Sequence, residues 1–204
     1  MFSPRKPDIS NCRVAKPRSP DFAEAAVLDR DRLRMLGREF EQALTAVQMA
    51  SMDELTLLTN LHGFLGLAQR WLDACQELGK PASLLYFDLD CSACIDPVYG
   101  RCERDSALKT FADVLRIAFR ESDVVARVGA DEFVVLLTGS TAVDVAQIRS
   151  RLNEMLDERG ATVGRRYPIG FRIDQLEFNP ARHRSAEALM KAIDRARHAG
   201  AVQF

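Results

Sequence analysis

The apolar positions of this chain form alternating helix-like and strand-like blocks from residue 53 to residue 204. Steps of three and four between apolar residues predict helices, whereas short, near-continuous apolar runs predict buried strands. The blocks follow the order helix, strand, helix, hairpin, helix, strand, helix. We therefore predict an α/β sandwich in which helices pack on a central, mostly antiparallel sheet.

The pattern also gives the bounds of these elements. The first helix is predicted to stop at Gly79 and Pro81, a C-cap glycine and a residue that cannot continue a helix. Its apolar stripe, which we expect to face the core, consists of Phe64, Leu67, Ala68, Trp71, Leu72 and Cys75. The predicted helices run from Gly63 to Leu78, Glu103 to Phe119, Thr141 to Asp157 and Ser185 to His198, and the predicted strands from Ser83 to Leu89, Val124 to Val128, Phe133 to Leu137 and Ala161 to Ile173.

Two adjacent acids lie at the tip of the predicted hairpin. Gly129 separates its apolar runs and suits the first position of a type II′ turn, and Asp131 and Glu132 follow directly. Acids beside glycine are common in solvated turns, which is one interpretation. A bound cation is the other, because two ionised carboxylates beside a buried strand repel each other without one.

The first 52 residues differ in composition from the rest. Residues 1–20 hold four prolines and five basic residues against one acid, which predicts a disordered basic tail, with a weak tether to an anionic surface as the alternative. Residues 21–52 predict a helix that precedes a domain boundary near Asp53. Its heptad-like stripe favours a dimerising or signalling helix over a packed amphipathic one, so we expect a homodimer through this helix. The stripe consists of Leu33, Leu36, Phe40, Ala43, Val47 and Ala50.

Composition and charge exclude some classes of partner. An apolar content of 47% is ordinary for a soluble globular protein. The net charge of −1 argues against a specific nucleic-acid partner. The sequence lacks an apolar run of about 18 residues and the apolar centre of a secretory signal, so we expect no membrane insertion and a cytoplasmic location.

The five cysteines predict free thiols, because their number is odd and no export signal precedes them. Cys91 and Cys94 form a C-x-x-C directly after a predicted strand, which leaves a redox pair or a metal site as alternatives. A structural zinc site usually needs four ligands, and no second cysteine pair or paired histidine is present.

Acids on two predicted strands converge on the hairpin tip. Asp88 ends its strand, and Asp131 and Glu132 begin the second strand of the hairpin, so pairing of these strands brings the three carboxylates together. Carboxylate oxygens suit Mg²⁺, or Mn²⁺ in its place. Two strands that hold acids around Mg²⁺ are how a polymerase-like palm activates a hydroxyl for attack on a nucleoside triphosphate.

Five short segments between Asp53 and Phe204 form a specific combination by their order and spacing. They are Asp53-x-Leu55-Thr56-x-Leu58-x-Asn60, Asp88-Leu89-Asp90, Tyr99-Gly100 with Asp105, Gly129-Ala130-Asp131-Glu132-Phe133, and Ile169-Gly170. On these segments the chain from Asp53 to Phe204 resembles the GGDEF domain, the palm-like nucleotidyl cyclase domain of diguanylate cyclases, which condense two GTP into cyclic di-GMP. The last three segments stand for the family's YGH-x-x-GD, GGDEF and SIG.

The resemblance implies a role for each matching residue. Asp88, the Leu89 carbonyl and Asp131 would hold Mg²⁺ or Mn²⁺, and Asp131 with Glu132 would be catalytic. Asp105 would read a guanine edge. The substrate-binding set that the family pattern implies is Asp96, Asp105, Gly129, Ala130 and Arg197.

Departures from the family pattern cluster in the same site. Ala130 replaces the second glycine of the signature, Asp96 a guanine-binding asparagine and Ala93 a phosphate-neutralising lysine. Arg197 and Ala201 replace the lysine and arginine of the family's AK-x-x-GRN. A carboxylate at position 96 only accepts hydrogen bonds and adds a negative charge where phosphates must approach. We therefore predict intact metal ligation but an impaired hold on GTP.

A second family site is better preserved. Arg120 and Asp123 form an R-x-x-D at the family's spacing from the signature, and Arg151 stands where the family often has another arginine. The resemblance implies an inhibitory site for cyclic di-GMP. The guanidinium fork suits guanine O6 and N7, and a carboxylate accepts from the opposite edge of the base.

These features lead to one leading hypothesis and two alternatives. We expect a cyclic di-GMP signalling protein with a degenerate GGDEF domain that binds cyclic di-GMP and has weak or no cyclase activity. An active diguanylate cyclase is the first alternative, and it would take GTP as its partner. A dimerisation or interaction module is the second.

Overall fold

The computed structural model describes residues 50–90, 96–139 and 143–200, together with Met35. The three ranges belong to the compact unit Val47–Phe204. Several sequence predictions lie outside the described residues: the tail 1–20, all of the helix 21–52 except Met35 and residues 50–52, the C-x-x-C pair Cys91 and Cys94, and positions Ala93 and Ala201.

The described elements follow the predicted order, with one short additional helix before the second long one. In chain order they are α1 (Leu61–Glu77), β1 (Ala82–Leu89), α2 (Asp96–Tyr99), α3 (Arg101–Ala118), β2 (Val124–Arg127), β3 (Glu132–Thr138), α4 (Val145–Val163), β4 (Phe171–Glu177) and α5 (Ala186–Gly200). In the described part of the chain, no helix is both long and apolar enough to cross a bilayer.

The four strands form one antiparallel sheet in the order β2-β3-β1-β4, which confirms the predicted architecture. The register is fixed on both sides of β1. Asp88 lies opposite Glu132 on β3 and opposite Arg172 on β4. The central strand therefore places its terminal acid between an acid and an arginine.

Strand alternation separates the core from the candidate site. Phe87, Phe133 and Phe171 point to one face of the sheet, where they pack on Phe111 of α3. Their sequence neighbours Asp88, Glu132 and Arg172 belong to the opposite face, because successive side chains of a strand point to opposite sides. The packing of the phenylalanines thus fixes which face carries the charged residues.

The opposite face of the sheet is covered by α1 and α5. Its apolar part comprises Leu84, Tyr86, Val134 and Leu136. Asn60 caps α1 by accepting a hydrogen bond from the Gly63 amide at 3.0 Å.

Part of the predicted α1 stripe is not in the core. Phe64, Ala68, Leu72 and Cys75 are buried, but Leu67 and Trp71 keep 41% and 40% of their surface exposed. Both predictions were wrong because these residues lie at the edge of the stripe. The buried residues follow one another mainly in steps of four, whereas Leu67 and Trp71 each follow a buried residue by three, which turns them to one flank of the stripe.

The last strand begins ten residues later than the sequence predicts, at Phe171 instead of Ala161. Helix α4 continues to Val163 and ends at Gly164, which adopts a left-handed conformation with φ 67°. Pro168 then lies in the loop before β4, consistent with its lack of an amide donor for a sheet. The apolar residues between the two elements belong to a loop and not to a strand.

Candidate functional site

The turn before α1 is bound to the hairpin tip through Arg127. Its Nη1 donates to both carboxylate oxygens of Asp53 at 3.0 and 3.1 Å, and its Nη2 donates to the Ala130 carbonyl at 2.7 Å. Asp53 also accepts hydrogen bonds from the Thr56 amide at 2.9 Å and from the Thr56 hydroxyl at 2.6 Å. The matching segment Asp53 to Asn60 therefore positions the signature residues.

These contacts lower the pKa of the Asp53 carboxyl. Burial by itself raises this pKa, but the hydrogen bonds from Thr56 and then from Arg127 outweigh it. The folded-state pKa lies below the ordinary value of 3.8. The stabilisation is therefore present above that value and is lost as the pH falls through the folded-state pKa.

We expect Asp53→Asn to lower the free energy of unfolding by about 1 to 3 kcal/mol at pH 7, because Arg127 loses its charged acceptor. The difference from the wild type should shrink as the pH falls below the ordinary carboxyl value of 3.8. Urea unfolding at a series of pH values measures it. The exposed neighbour Glu54, changed to Gln, is the control and should stay within about 0.5 kcal/mol. A difference that persists unchanged at the lowest pH contradicts this assignment.

The hairpin is confirmed, but its predicted type II′ turn is wrong. The φ angle of Gly129 is not positive, as the first position of a type II′ turn would require. The tip is longer, with the amides of Val128 and Gly129 both donating to the Glu132 carbonyl at 2.9 and 3.3 Å. A Cβ at position 129 would collide with the Glu132 carboxylate and lie 3.1 Å from the Glu132 Cβ. Close approach of Glu132, and not a left-handed conformation, is what favours glycine here.

Asp88 is held by two arginines. Its Oδ2 accepts a hydrogen bond from Arg172 Nη2 at 2.5 Å and from Arg197 Nη2 at 3.1 Å. Arg172 comes from the facing position on β4 and Arg197 from the last turn of α5. The predicted metal ligand of β1 thus already has two cationic partners.

Arg197 is the central cation of this part of the site. Its guanidinium lies 3.8 Å from the ring centroid of Tyr86, 3.5 Å from Glu132 Oε1 and 3.4 Å from Asp174 Oδ2. Burial disfavours the charged guanidinium and lowers the pKa of Arg197. Tyr86 and then Asp88 outweigh burial and raise this pKa above its ordinary value. Burial and then the Glu132 carboxylate raise the Tyr86 pKa as well, so the phenol stays protonated.

Asp131 is held by a third arginine. Arg104 of α3 donates to its Oδ1 from Nη2 at 2.7 Å and from Nε at 3.1 Å. Asp131 is buried, with 8% of its surface exposed. Its carbonyl also accepts a hydrogen bond from the Leu89 amide at 2.9 Å, which ties the hairpin tip to the end of β1.

The acids as arranged do not fit Mg²⁺ or Mn²⁺. Across residues 50–90, 96–139 and 143–200, no three acidic, histidine or cysteine side chains form a group that could hold a metal ion. Arginines bind Asp88 and Asp131 where a cation would be needed. The metal-binding roles of Asp88, Leu89 and Asp131 and the catalytic role of Glu132 stay predictions from the resemblance.

The arginine contacts were not anticipated from the sequence. A signal was available for Arg104, which stands at the glycine position of the YGH-x-x-GD motif. Asp105 follows it on α3 and is half-buried, while Asp96 lies on α2. Their guanine-binding roles stay predictions.

The predicted inhibitory-site residues cluster at the end of α3. Asp123 Oδ2 accepts a hydrogen bond from the Arg120 amide at 3.1 Å, and its Oδ1 accepts one from the Thr138 amide at 3.3 Å. Arg151 of α4 donates to the Ala118 carbonyl at 2.7 Å, two residues before Arg120. Within the described ranges, the Arg120 guanidinium makes no hydrogen bond or ion pair.

An open groove adjoins these residues. It has a volume of about 500 Å³, within the range of about 300 to 1,000 Å³ that small-molecule sites occupy. We name it the Arg120 groove. Its lining includes Leu67, Trp71, Arg116, Arg120, Glu121 and Asp123.

The cysteines described by the structure carry free thiols, as predicted. Cys75 is buried in the core of the α1 face and Cys102 is exposed on α3. Cys91 and Cys94 belong to a segment outside the described residues, so their redox or metal-binding role stays a prediction.

Curated relatives share parts of the sequence. The chain is 30% identical over 158 residues to the cyclic di-GMP phosphodiesterase NbdA of Pseudomonas aeruginosa, a match that covers 77% of this chain and 20% of that protein. It is 34% identical over 91 residues to the diguanylate cyclase DgcS of Shewanella oneidensis, with 45% of this chain and 31% of that protein covered. The matched region is thus at most about a third of these relatives' own length.

Solved structures share the fold. A GGDEF domain of Pseudomonas aeruginosa, TpbB or YfiN, superposes with a TM-score of 0.61 at 28% identity, covering 70% of this chain and 84% of that one. The coiled coil and GGDEF domain of DgcB from Caulobacter crescentus gives a TM-score of 0.70 at 21% identity, with 88% and 94% covered. The family model described as diguanylate cyclase, GGDEF domain, matches residues 50–200. This chain belongs to the GGDEF-domain family of diguanylate cyclases.

Proposed function

We propose that this chain is a cyclic di-GMP signalling domain that binds cyclic di-GMP beside Arg120 and has weak or no cyclase activity. Relatives on both sides of cyclic di-GMP metabolism, a phosphodiesterase and a cyclase, support this dinucleotide as the ligand. The single observation that carries the proposal is the contrast between the two sites. Arginines neutralise the acids at the hairpin tip, whereas the Arg120 guanidinium has no partner in the described structure.

We expect weak catalysis because arginines already pair with the acids that would bind the metal ion. A cyclase would need Mg²⁺ or Mn²⁺ bound by Asp88 and Asp131. That cation would have to displace Arg104 from a buried carboxylate and compete with Arg172 and Arg197. The exchange loses these ion pairs and brings the divalent cation close to guanidinium groups of the same sign, so its occupancy is disfavoured.

Binding of the dinucleotide follows from the geometry of the Arg120 groove. Arg120 is exposed and able to present its fork to guanine O6 and N7. Asp123 is fixed by two backbone amides, so its carboxylate is already oriented. Arg151 is anchored through one nitrogen on the Ala118 carbonyl, two residues before Arg120; it is a second cation at this end of α3, although it does not line the groove itself.

Isothermal titration calorimetry with cyclic di-GMP tests the proposal. We expect saturable binding by the wild type and a loss of at least about tenfold in affinity in Arg120→Ala, since a hydrogen bond to a charged group contributes about 1.5 to 3 kcal/mol. Arg149→Ala is the matched control, because Arg149 is also exposed but lies two residues before Arg151, on a different side of α4. Absence of binding at high micromolar ligand, or equal affinity of both variants, would refute the site.

An active diguanylate cyclase is the second candidate, and the sheet register favours it. Asp88 faces Glu132, and Leu89 is bonded to Asp131, so the acids do meet at one end of the sheet. Incubation with GTP and Mg²⁺ followed by chromatography separates the candidates. Sustained formation of cyclic di-GMP that is lost in Asp131→Ala would reverse our ordering. Dimerisation through residues 21–52 and a cytoplasmic location stay predictions.

A further inference from the structure

The single tryptophan of the chain is exposed on α1. Trp71 keeps 40% of its surface exposed, and Leu67, one turn earlier, keeps 41%. A large aromatic side chain at such a position loses the stabilisation that burial in the core would give it. The exposed part of the Trp71 ring is therefore available to contact a ligand.

Trp71 and Leu67 of α1 line the Arg120 groove. Arg116, Arg120 and Asp123, from the end of α3 and the turn after it, line the same groove. Arg116 is fixed in place, because its Nη2 donates to the Thr56 and Leu57 carbonyls at 3.2 and 3.3 Å. The groove thus combines an aromatic side chain with hydrogen-bond donors and an acceptor.

This combination matches the chemistry of a purine base. Such a base has two faces that stack on aromatic side chains and an edge that forms hydrogen bonds. The unpaired Arg120 guanidinium complements both a guanine edge and a phosphodiester anion. An aliphatic ligand would leave this cation unpaired, and an inorganic anion would leave the indole uncovered.

We propose that Trp71 is a stacking platform for one guanine of the cyclic dinucleotide bound at Arg120. This inference rests on the proposed function and adds a contact from α1 to it. The indole covers one face of the base, while Arg120 donates to O6 and N7 at its edge. Adenine has an amino group in place of O6, so the same arrangement selects guanine.

The tryptophan itself reports on the contact. Because the chain contains one tryptophan, its intrinsic fluorescence arises from Trp71, and we expect cyclic di-GMP to quench it with the same midpoint as in calorimetry. We expect Trp71→Ala to weaken binding about tenfold. Trp71→Phe keeps an aromatic face, so its affinity should fall by less than about threefold. Cyclic di-AMP should bind at least about tenfold more weakly than cyclic di-GMP.

Leu78→Ala is the matched control, because Leu78 is exposed at the end of α1 and does not line the groove. It should bind as the wild type does. Circular dichroism of each variant should show an unchanged fold, since Trp71 is half exposed. Binding by the wild type without quenching, and with equal affinity in Trp71→Ala, overturns the stacking role and leaves the Arg120 site standing. No binding by the wild type overturns both.

Discussion

Replacement of Arg104 by alanine is expected to lower the free energy of unfolding by about 3 kcal/mol in metal-free buffer at pH 7. The variant leaves Asp131 buried without the guanidinium that now binds it from two nitrogens, at 2.7 and 3.1 Å. The double variant Arg104→Ala, Asp131→Asn removes the unpaired charge as well. We expect it to recover about half of the loss, as measured by urea unfolding.

The same variant should acquire affinity for a divalent cation. With Arg104 absent, the Asp131 carboxylate loses its cationic partner, and carboxylate oxygens are the ligands that Mn²⁺ prefers. The acids form no metal-binding group as arranged in the described residues, so side chains at this end of the sheet must move to complete the site. A cation at 100 times its dissociation constant stabilises a protein by about 2.7 kcal/mol. We therefore expect millimolar Mn²⁺ to restore part of the stability of Arg104→Ala and to leave that of the wild type unchanged.

Arg101→Ala is the control for both measurements, since Arg101 is exposed in the first turn of the same helix. It should match the wild type in stability and in its lack of response to Mn²⁺. Tight Mn²⁺ binding by the wild type would show that the Arg104 guanidinium does not exclude a cation from Asp131. An Arg104→Ala variant as stable as the wild type would show that the ion pair contributes little.

Replacement of Phe111 by alanine is expected to have the largest effect on stability, about 3 to 5 kcal/mol. Phe111 is fully buried on α3. Its ring centroid lies 5.9 Å from that of Phe87, 5.2 Å from that of Phe133 and 5.3 Å from that of Phe171. One side chain thus joins the helix to three strands, and its removal leaves a cavity that these rings cannot easily fill.

Urea unfolding measures this loss, with Ile117→Ala as the control on the same helix. Ile117 is 62% exposed, so its truncation should change the free energy of unfolding by less than about 0.5 kcal/mol. Cyclic di-GMP binding by folded Phe111→Ala should stay within a few-fold of the wild type. A loss below 1 kcal/mol in Phe111→Ala would mean that the phenylalanine cluster repacks around the vacancy.

The sheet and the meeting of its acids could be predicted because short-range patterns determine them. Two apolar runs flank Gly129, and Asp88 ends a third run, so pairing of neighbouring strands brings Asp88 opposite Glu132. The exposure of Trp71 could not be predicted in this way. A step of four residues places a side chain near the helical stripe, but only the packing of α1 on the sheet decides whether the edge is covered.

The partners of the arginines could not be predicted for a related reason. Arg104, Arg127 and Arg197 bind carboxylates that are 27, 74 and 109 residues away in sequence. A long, flexible side chain reaches whatever the tertiary fold brings near, and no local pattern encodes that destination. The motif positions located the acids, and the three-dimensional contacts revealed how their charge is balanced.

The alternation of side chains between the two faces along β1 determines which substitutions the domain tolerates. A slip of one residue would turn Phe87 to the face that α1 and α5 cover and would bury Asp88 beneath α3, away from Arg172 and Arg197. Register is therefore enforced by the phenylalanines and not by the acids beside them. Substitutions at Asp88 or Glu132 therefore alter the chemistry of the tip and leave the phenylalanine packing that sets the register in place. The shape of the domain and its reactivity are thus separable properties, and the first can persist where the second has been lost.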